Sequence, residues 1–252
     1  MPRDFDGSDD LIDYGTSVIL DSSTFTICEW LRLPTSDSGL GNVFVSRGQD
    51  TFGNGWSVLM THGSGNPCTY TGYVVATTPT VAQVDAVGTN TFARLMWHHI
   101  ALVWNPGTSL TLYVDGVLEK TTAETRTGLR SSTKGLRSGP SNTGGLSTGM
   151  QAYLSAHTRV LSVGEIRQMM YYPGSIVNGL AGFWPLWGGS PEGDYSGNGN
   201  SGTVTGATVW TTDGPPINGV FYPRRSRLQY AYASPAAPSV TAEEPSVVSM
   251  WS

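Results

Sequence analysis

Hydrophobic and polar residues alternate along several short stretches of the chain, as they do in β-strands that bury one face. Residues 24–33, TFTICEWLRL, show this alternation, are rich in β-branched and aromatic side chains, and end at Pro34. We predict a core strand here. Three further runs, residues 42–46, 55–60 and 71–76, have the same character and are separated by Gly, Asn, Ser or Pro clusters. Short strands at short spacing predict a β-sandwich or a barrel.

The clearest local pattern covers residues 96–118, MWHHIALVWNPGTSLTLYVDGVL. Two strand-like runs are joined by an Asn-Pro-Gly turn at residues 105–107, and the second run ends at Asp115-Gly116. The pattern predicts a meander of three antiparallel strands. A type I′ turn needs positive φ at both central residues, which Asp and Gly tolerate. We therefore interpret Asp115 first as a turn residue.

The pattern becomes helical near residue 162. Ser162 is suited to cap a helix, and Glu165 stands at the capping-box position. Hydrophobic residues that follow can line one helical face. We predict one short helix over residues 162–171, ending before Pro173.

The remaining stretches carry weaker patterns. Residues 121–150 are rich in Thr, Ser and Gly, and we predict loops there with one or two short strands. Strand patterns return at residues 182–186 and 203–210, separated by the turn-forming run GGSPEGDYSGNGNSG. Beyond Tyr222 the chain is rich in Pro and has no sustained periodicity, which predicts an extended tail.

Length and composition favour one β-rich domain. The chain has 252 residues, of which 38% are hydrophobic and 13% charged, with 32 glycines. All-β sandwiches often reach this size as one unit, so we predict a domain over residues 1–222 and a tail over residues 223–252. Two cysteines cannot form a framework. We expect Cys28 and Cys68 to be free, the alternative being a bridge between them.

Charge and hydropathy exclude some partners. The net charge is −5 and the main domain has no stripe of Lys and Arg, so we expect no nucleic-acid partner. No run approaches 18 apolar residues, so we expect no membrane insertion. The N-terminus, MPRDFDGSDD, lacks the basic and apolar regions of a signal peptide, and we expect none.

Several stretches occur in the order that is typical of laminin-G-like jelly-roll domains. They are Phe5-Asp6-Gly7, Phe25-Thr26-Ile27 with Trp30, Trp97-His98-His99-Ile100-Ala101-Leu102, Leu112-Tyr113-Val114-Asp115-Gly116, Arg159-Val160-Leu161-Ser162 with Glu165-Ile166, Gly182-Phe183-Trp184-Pro185-Leu186, and Asp194-Tyr195-Ser196-Gly197-Asn198-Gly199-Asn200. Over about residues 4–210 the chain resembles the laminin-G-like branch of the concanavalin A-like lectin/glucanase superfamily. The resemblance implies an all-β fold, a sandwich of two antiparallel sheets with its terminal strands close together. Ligands in this superfamily are usually glycans.

The resemblance also raises the question of catalysis, because related folds include glycanases. Such enzymes place acidic residues at alternate positions of one strand. The nearest candidates are Glu192 with Asp194, in a Gly-rich loop, and Glu119 with Glu124, just after a hairpin. Neither pair fits that pattern. We therefore predict that the protein is not an enzyme, assign no catalytic residue and expect no required cofactor.

Adjacent histidines and clustered aromatic residues remain to be interpreted. His98 and His99 point to opposite faces of a strand, so they cannot serve one site and we interpret them as structural. We assign the tryptophans of the strongest strand patterns to core packing: Trp30, Trp97 and Trp184. Trp56, Tyr70 and Tyr73 lie near Gly-rich loops and are the predicted glycan-binding residues, because an aromatic face can hold a pyranose ring.

Asx side chains near both ends of the domain offer oxygen ligands for a structural calcium ion. If the terminal strands pair as the resemblance implies, Asp6, Asp194 and Asn198 are the predicted ligands. Asp9 and Asp10 lie close to Asp6 in sequence. The alternative is that these side chains bond their own backbone in Gly-rich turns.

The tail combines basic and aromatic residues with a hydrophobic end. We predict that it binds a partner, adding a strand to a neighbouring sheet or filling a groove, the alternative being an unstructured end. The predicted contact residues are Arg224, Arg225, Arg227, Tyr230, Tyr232 and Trp251.

A laminin-G-like domain with low charge and such a tail is similar to proteins of phage virions. The resemblance implies a structural and binding protein, either a head decoration or a fibre-associated subunit. It would reside in the virion, form homo-oligomers, contact other virion subunits and bind glycans of the host surface. The alternatives are a carbohydrate-binding module of a secreted or cell-surface protein and, third, a glucanase-type glycoside hydrolase.

Overall fold

The computed structural model is a two-layer β-sandwich with one helix. It describes residues 2–16, 24–34, 42–47, 56–61, 68–130, 135–139 and 147–217. The predicted tail, residues 223–252, lies outside this range, and the predicted domain boundary at residue 222 stays a prediction. Among the described helices, none is long and apolar enough to cross a membrane.

The elements follow one another in the order expected for an all-β domain. In chain order they are β1 (Arg3–Asp6), β2 (Leu11–Asp13), β3 (Phe25–Arg32), β4 (Asn42–Arg47), β5 (Trp56–Thr61), β6 (Thr69–Thr77), β7 (Ala82–Val87), β8 (Trp97–Asn105), β9 (Ser109–Val114), β10 (Val117–Ala123), β11 (Gly128–Leu129), β12 (Leu136–Ser138), β13 (Thr148–His157), α1 (Val163–Tyr171), β14 (Leu180–Trp184), β15 (Thr203–Thr205) and β16 (Thr208–Val209).

Two sheets of eight strands form the sandwich, and all pairings between the strands named above are antiparallel. Sheet A has the order β10-β9-β8-β3-β13-β1-β16, and β14 also pairs with β13. Sheet B has the order β11-β6-β5-β4-β12-β2-β15, and β7 also pairs with β6. In sheet A the first described strand, β1, pairs with the last, β16. In sheet B the first described strand, β2, pairs with the last, β15, so the terminal strands lie close together as the resemblance implies.

The main hydrophobic core lies between the two sheets. Phe25 and Trp104 of sheet A and Phe44 and Tyr70 of sheet B belong to it, and all four side chains are fully buried. The tight packing leaves no room for a side chain at Gly72, where a Cβ would lie 2.2 Å from a methyl group of Leu102. The two layers therefore interlock at van der Waals contact.

A second hydrophobic layer covers the outer face of sheet A. Cys28 and Ala101 of that face pack against Ile166 and Met169 of α1. The Nε1 atom of Trp30, on the same face, donates a hydrogen bond to the carbonyl of Met170 at 3.1 Å. The helix therefore lies on the sheet as a cover and is not part of the core between the sheets.

The predicted helix and its cap are confirmed. The backbone N–H of Glu165 donates to Oγ of Ser162 at 3.3 Å, and the Ser162 N–H donates to Oε2 of Glu165 at 2.9 Å. Arg159 pairs with the same carboxylate at 2.6 Å, and this hydrogen bond is the largest cause that lowers the pKa of Glu165 to about 2. The reciprocal bonds satisfy two backbone donors at the helix start.

The predicted meander over residues 96–118 is also confirmed, with β8, β9 and β10 pairing in sequence. Asp115 and Gly116 have φ values of 51° and 69°, as a type I′ turn requires. Asp115 also accepts two hydrogen bonds, from the His99 N–H at Oδ1 and from His98 Nδ1 at Oδ2, both at 2.8 Å.

The prediction for residues 121–150 is wrong at its C-terminal end. Two short strands are present as expected, but the ten-residue strand β13 begins at Thr148 and occupies the middle of sheet A. Nine of its ten residues are buried, including Gln151 and Ser155. Because β13 is covered on both faces, its sequence lacks the alternation that marks a half-buried strand.

The cysteines and histidines behave as predicted. Cys28 and Cys68 are free and buried. His98 packs against Phe92 with ring centroids 5.1 Å apart, whereas His99 packs against Trp30 on the other face at 5.4 Å. Burial lowers the pKa of His99 to about 4, so its ring is neutral at physiological pH.

Candidate functional site

An open groove of about 400 Å³ lies on the outer face of sheet A, beside the part that α1 covers. We call it the Trp210 groove. Charged, aromatic and apolar side chains share this concave surface. It is lined by Asp4, Phe5, Asp6, Arg32, Leu33, Pro34, Leu95, Thr148, Gly149, Met150 and Trp210.

The strand register explains why these side chains meet. Met150 on β13 lies opposite Asp4 on β1 and opposite Arg32 on β3. Residues that face each other on adjacent antiparallel strands project to the same side of the sheet. Asp4, Met150 and Arg32 therefore form one row across three neighbouring strands.

Arg32 is held in the groove by three contacts. Its Nε atom donates to the carbonyl of Leu95 at 3.0 Å, and Nη1 lies 3.5 Å from Sδ of Met150 and 3.3 Å from Oδ2 of Asp213. Within the described part of the chain, Nη2 has no hydrogen-bond partner. The guanidinium is thus fixed in position and keeps one nitrogen that can donate to a bound molecule.

Two carboxyl groups face the groove from alternate positions of β1, Asp4 and Asp6. Burial raises the pKa of Asp4 and the charge of Asp6 raises it further, while the Phe5 backbone and Arg32 act in the opposite direction. Oδ1 of Asp6 also accepts a hydrogen bond from the Ser8 N–H at 2.8 Å. Asp6 therefore stabilises the turn after β1 as well as lining the groove.

Trp210 supplies the aromatic surface. It directly follows β16, and its backbone N–H donates to the carbonyl of Pro2 at 2.8 Å, which fixes the residue beside β1. The residue is 40% exposed. A large part of the indole is therefore open to solvent and can stack against a flat apolar surface.

The aromatic residues predicted from the sequence to bind glycans lie elsewhere. Tyr70 is fully buried and packs against Phe92 with ring centroids 5.5 Å apart, and Tyr73 is 6% exposed. Neither ring offers an open surface to a sugar, because Tyr70 belongs to the core between the sheets and Tyr73 is buried as well. Trp56 is the first residue of β5, and its side chain lies outside the described residues.

The predicted calcium ligands are not brought together. Asp6 pairs with Thr148 at the start of β13, whereas Asp194 binds the N–H of Phe183, which pairs with Ser155 near its end. Seven residues along a strand correspond to roughly 23 Å. One ion therefore cannot contact both carboxylates.

Hydrogen bonds explain what Asp194 and Asn198 do instead. The Asp194 carboxylate accepts from the backbone N–H groups of Phe183, Ser196 and Asn200, and the Asn198 amide donates to the carbonyls of Leu180 and Ala181. These bonds fasten the Gly-rich loop to β14, in agreement with the alternative reading of the sequence.

Near the N-terminus, one oxygen each of Asp6, Asp9 and Asp10 lies within 4.8 Å of the other two. Carboxylate oxygens in such a group suit a calcium ion. Burial raises the pKa of Asp10, which is the reverse of what a bound cation would do. Calcium binding stays a prediction for this cluster.

The acidic pairs considered for catalysis have structural partners. Glu192 forms a buried ion pair with Arg3 at 2.9 Å, and Glu119 accepts from the backbone and amide of Asn90. Glu124 pairs with Arg126 at 2.9 Å. These carboxylates hold loops and strands together, and none of them lines the Trp210 groove.

Asp4, Arg32 and Trp210 were not predicted from the sequence as site residues. The sequence indicates only that Arg32 shares one face of its strand with Trp30, because the two residues are two positions apart. The row itself depends on Met150, which lies in the strand that was not predicted. The predicted partner-binding residues of the tail, from Arg224 to Trp251, lie outside the described residues.

Comparisons with known proteins agree with the observed fold. Residues 6–167 match a laminin G family model described as the concanavalin A-like lectin/glucanases superfamily. No curated protein matches the chain.

Two solved structures illustrate the structural similarity. A Bacteroides ovatus protein, to which carbohydrate binding has been assigned by inference, aligns with a TM-score of 0.64 and 18% identity over 85% of this chain. The chain spans 60% of that protein's length. A heptameric SAP-like pentraxin from Limulus polyphemus aligns with a TM-score of 0.52 and 16% identity, covering 71% of this chain and 82% of the pentraxin.

Proposed function

The chain belongs to the laminin-G-like family of the concanavalin A-like lectin/glucanase superfamily, and on that premise we propose that it is a non-catalytic carbohydrate-binding protein. Its binding site is the Trp210 groove. The observation that carries this proposal is an exposed indole beside a fixed guanidinium and a carboxyl group.

The chemistry of the groove suits a sugar ring. The apolar face of a pyranose stacks on an aromatic side chain such as Trp210, while its hydroxyl groups need donors and acceptors in the ring plane. Arg32 supplies a donor and Asp4 an acceptor. Because Leu95 and Met150 hold the guanidinium, little side-chain entropy is lost when a ligand binds.

One structural neighbour supports the same class of function. The Bacteroides ovatus protein carries an assignment as carbohydrate-binding, and its alignment covers most of this chain. The shared fold does not identify the sugar, because the side chains of the binding site determine which sugar binds.

The proposal is tested with a glycan array followed by calorimetry on the best neutral oligosaccharide. Trp210→Ala should weaken binding about tenfold or more, because the stacking surface is lost. Trp210→Phe should restore part of the affinity. Val177→Ala, which removes a more exposed hydrophobic group outside the groove, should bind like the wild type.

Two outcomes would contradict the proposal. If no glycan binds, the protein is not a lectin. If a glycan binds with the same affinity to Trp210→Ala, the groove is not its site. Thermal unfolding of each variant separates loss of binding from loss of folding.

A second candidate function, glycoside hydrolysis, is favoured by one observation. Asp4 and Asp6 face the groove from alternate positions of one strand, and the pKa of Asp4 is raised by burial, as a general acid requires. Incubating the protein with a bound oligosaccharide and analysing the products by mass spectrometry decides between the two. Release of shorter sugars that stops in Asp4→Asn would replace the binding proposal with hydrolysis.

The cellular setting is a separate proposal. A virion subunit that displays a glycan-binding sandwich and contacts its neighbours through residues 223–252 remains the reading that the sequence favours. The alternative is a module of a secreted or cell-surface protein. Mass spectrometry of purified particles from the source organism's phages would identify the chain among virion proteins if the first reading holds.

A further inference from the structure

A second open cavity, of about 620 Å³, lies at the C-terminal half of α1. It is lined by Arg167, Gln168, Tyr171, Tyr172 and Ser175. Tyr171 and Tyr172 are 44% and 38% exposed, so both aromatic rings are open to solvent in a part of the surface that the Trp210 groove does not include. We call this surface the tyrosine site.

Arg167 is the charged group of the tyrosine site. Its side-chain stem lies against Gly116, whose φ is 69° and where a Cβ would approach Cγ of Arg167 to 2.7 Å. Its Nε atom donates to the Gly116 carbonyl at 3.0 Å. Within the described part of the chain, the two terminal nitrogens have no hydrogen-bond partner. The hairpin turn thus orients a guanidinium whose outer edge remains free.

Carboxylates near Arg167 are already engaged. Glu165, the single acidic residue of α1, is bound by Arg159 and by the helix cap. Asp115, which precedes the glycine that contacts Arg167, accepts from His98 and His99. The positive charge of Arg167 is therefore not cancelled by an ion pair with either group.

Gln168 adds a fixed neutral group. Its Nε2 atom donates to Oγ of Ser175 at 3.2 Å, which orients the amide and leaves its carbonyl oxygen to accept a hydrogen bond. The N–H of Ser175 donates to the carbonyl of Tyr172 at 3.1 Å and holds the loop after the helix. Donor, acceptor and aromatic surfaces are thus arranged on a helix, which is a rigid support.

We propose that the tyrosine site binds a carboxylated sugar, with the ring on the exposed tyrosines and the carboxylate on the terminal nitrogens of Arg167. A planar guanidinium matches a carboxylate through two parallel hydrogen bonds, and tyrosine rings stack on the apolar face of a pyranose. This site differs from the Trp210 groove, where two aspartates face one arginine and oppose an anionic ligand. The proposal therefore does not depend on the function of that groove.

The test compares tetragalacturonic acid with its fully methyl-esterified form, in which a neutral methyl ester replaces each carboxylate. Calorimetry with the full chain should show binding of the acid and at least tenfold weaker binding of the ester. Arg167→Gln should weaken binding of the acid about ten- to hundredfold, and Arg167→Lys should weaken it less. Tyr171→Ala should also lose affinity.

Two control variants locate the effect. Arg130→Gln removes the same charge from an exposed arginine outside both cavities and should leave binding unchanged. Trp210→Ala should also leave binding of the acid unchanged. No binding of the acid, equal binding of acid and ester, or equal losses in Arg167→Gln and Arg130→Gln would overturn the proposal. A loss in Trp210→Ala alone would assign the acidic sugar to the other groove.

Discussion

At the scale of single residues, Glu29 shows how much the interior tolerates. It lies on β3 on the same face as Ile27 and Leu31, is 1% exposed, and neither carboxyl oxygen has a partner within the described part of the chain. Burial raises its pKa to about 8. Burial is the largest cause that raises the pKa values of Tyr14 and Tyr70, and the charge of Glu29 adds to it.

Glu29 should make stability depend on pH. Because its pKa is raised in the folded state above the ordinary 4.5, the folded state holds the proton more tightly. The proton on Glu29 contributes fully to the free energy of unfolding below pH 4.5. This contribution is lost as pH rises toward 8, by about 1.4 kcal/mol per pH unit. Urea unfolding of Glu29→Gln should therefore show a smaller decrease between pH 5 and 8 than the wild type. Parallel pH curves for the two proteins would contradict this.

The burial of Glu29 could be predicted from the sequence, but its isolation could not. Alternation along residues 24–33 places Glu29 on the inward face with Phe25. Whether a donor reaches its carboxylate depends on the opposite sheet, which the pattern of one strand does not contain. The sequence pattern of β6 likewise does not show that Tyr70 lies in the core, because its burial depends on residues of other strands.

At the scale of elements, the β9–β10 hairpin depends on one side chain. Asp115 holds a positive φ and accepts hydrogen bonds from His98 and His99. Asp115→Ala should lower the free energy of unfolding by about 2 kcal/mol, because both acceptors are lost and alanine is strained at this φ. Asp115→Asn tolerates this φ and keeps an acceptor, so it should lose less. If urea unfolding shows the same loss of free energy for Asp115→Ala and Asp115→Asn, the side-chain hydrogen bonds of Asp115 do not stabilise the hairpin as predicted.

Elements with an alternating pattern or a marked boundary could be predicted from the sequence, and β13, which has neither, could not. The α1 cap and the Asp115-Gly116 turn are local, so a few residues specify them. β13 carries three small residues, Gly149, Ala152 and Ala156, of which both alanines are fully buried, and Gln151 is buried beside Ser147. These choices follow from contacts with residues distant in sequence. The Trp210 groove shares this origin, since its central residue is Met150.

At the scale of the whole molecule, assembly is predicted to depend on residues 223–252. We expect light scattering to show a defined oligomer for the full chain and a monomer for a chain that ends at Tyr222. The sequence predicts that this segment is extended and gains order when it pairs with a neighbour, so its removal should abolish the contact. Each sample is measured with and without a calcium chelator. A monomer in every sample would exclude self-assembly through the tail.

The contact between Pro2 and Trp210 brings the two ends of the described sandwich together. A short linker between these positions would close the backbone into a ring, and the ring could be opened at an exposed turn instead. Such a circular permutant keeps β1 beside β16 and changes no strand pairing. The order in which the strands leave the ribosome would change, while the folded sandwich would stay the same.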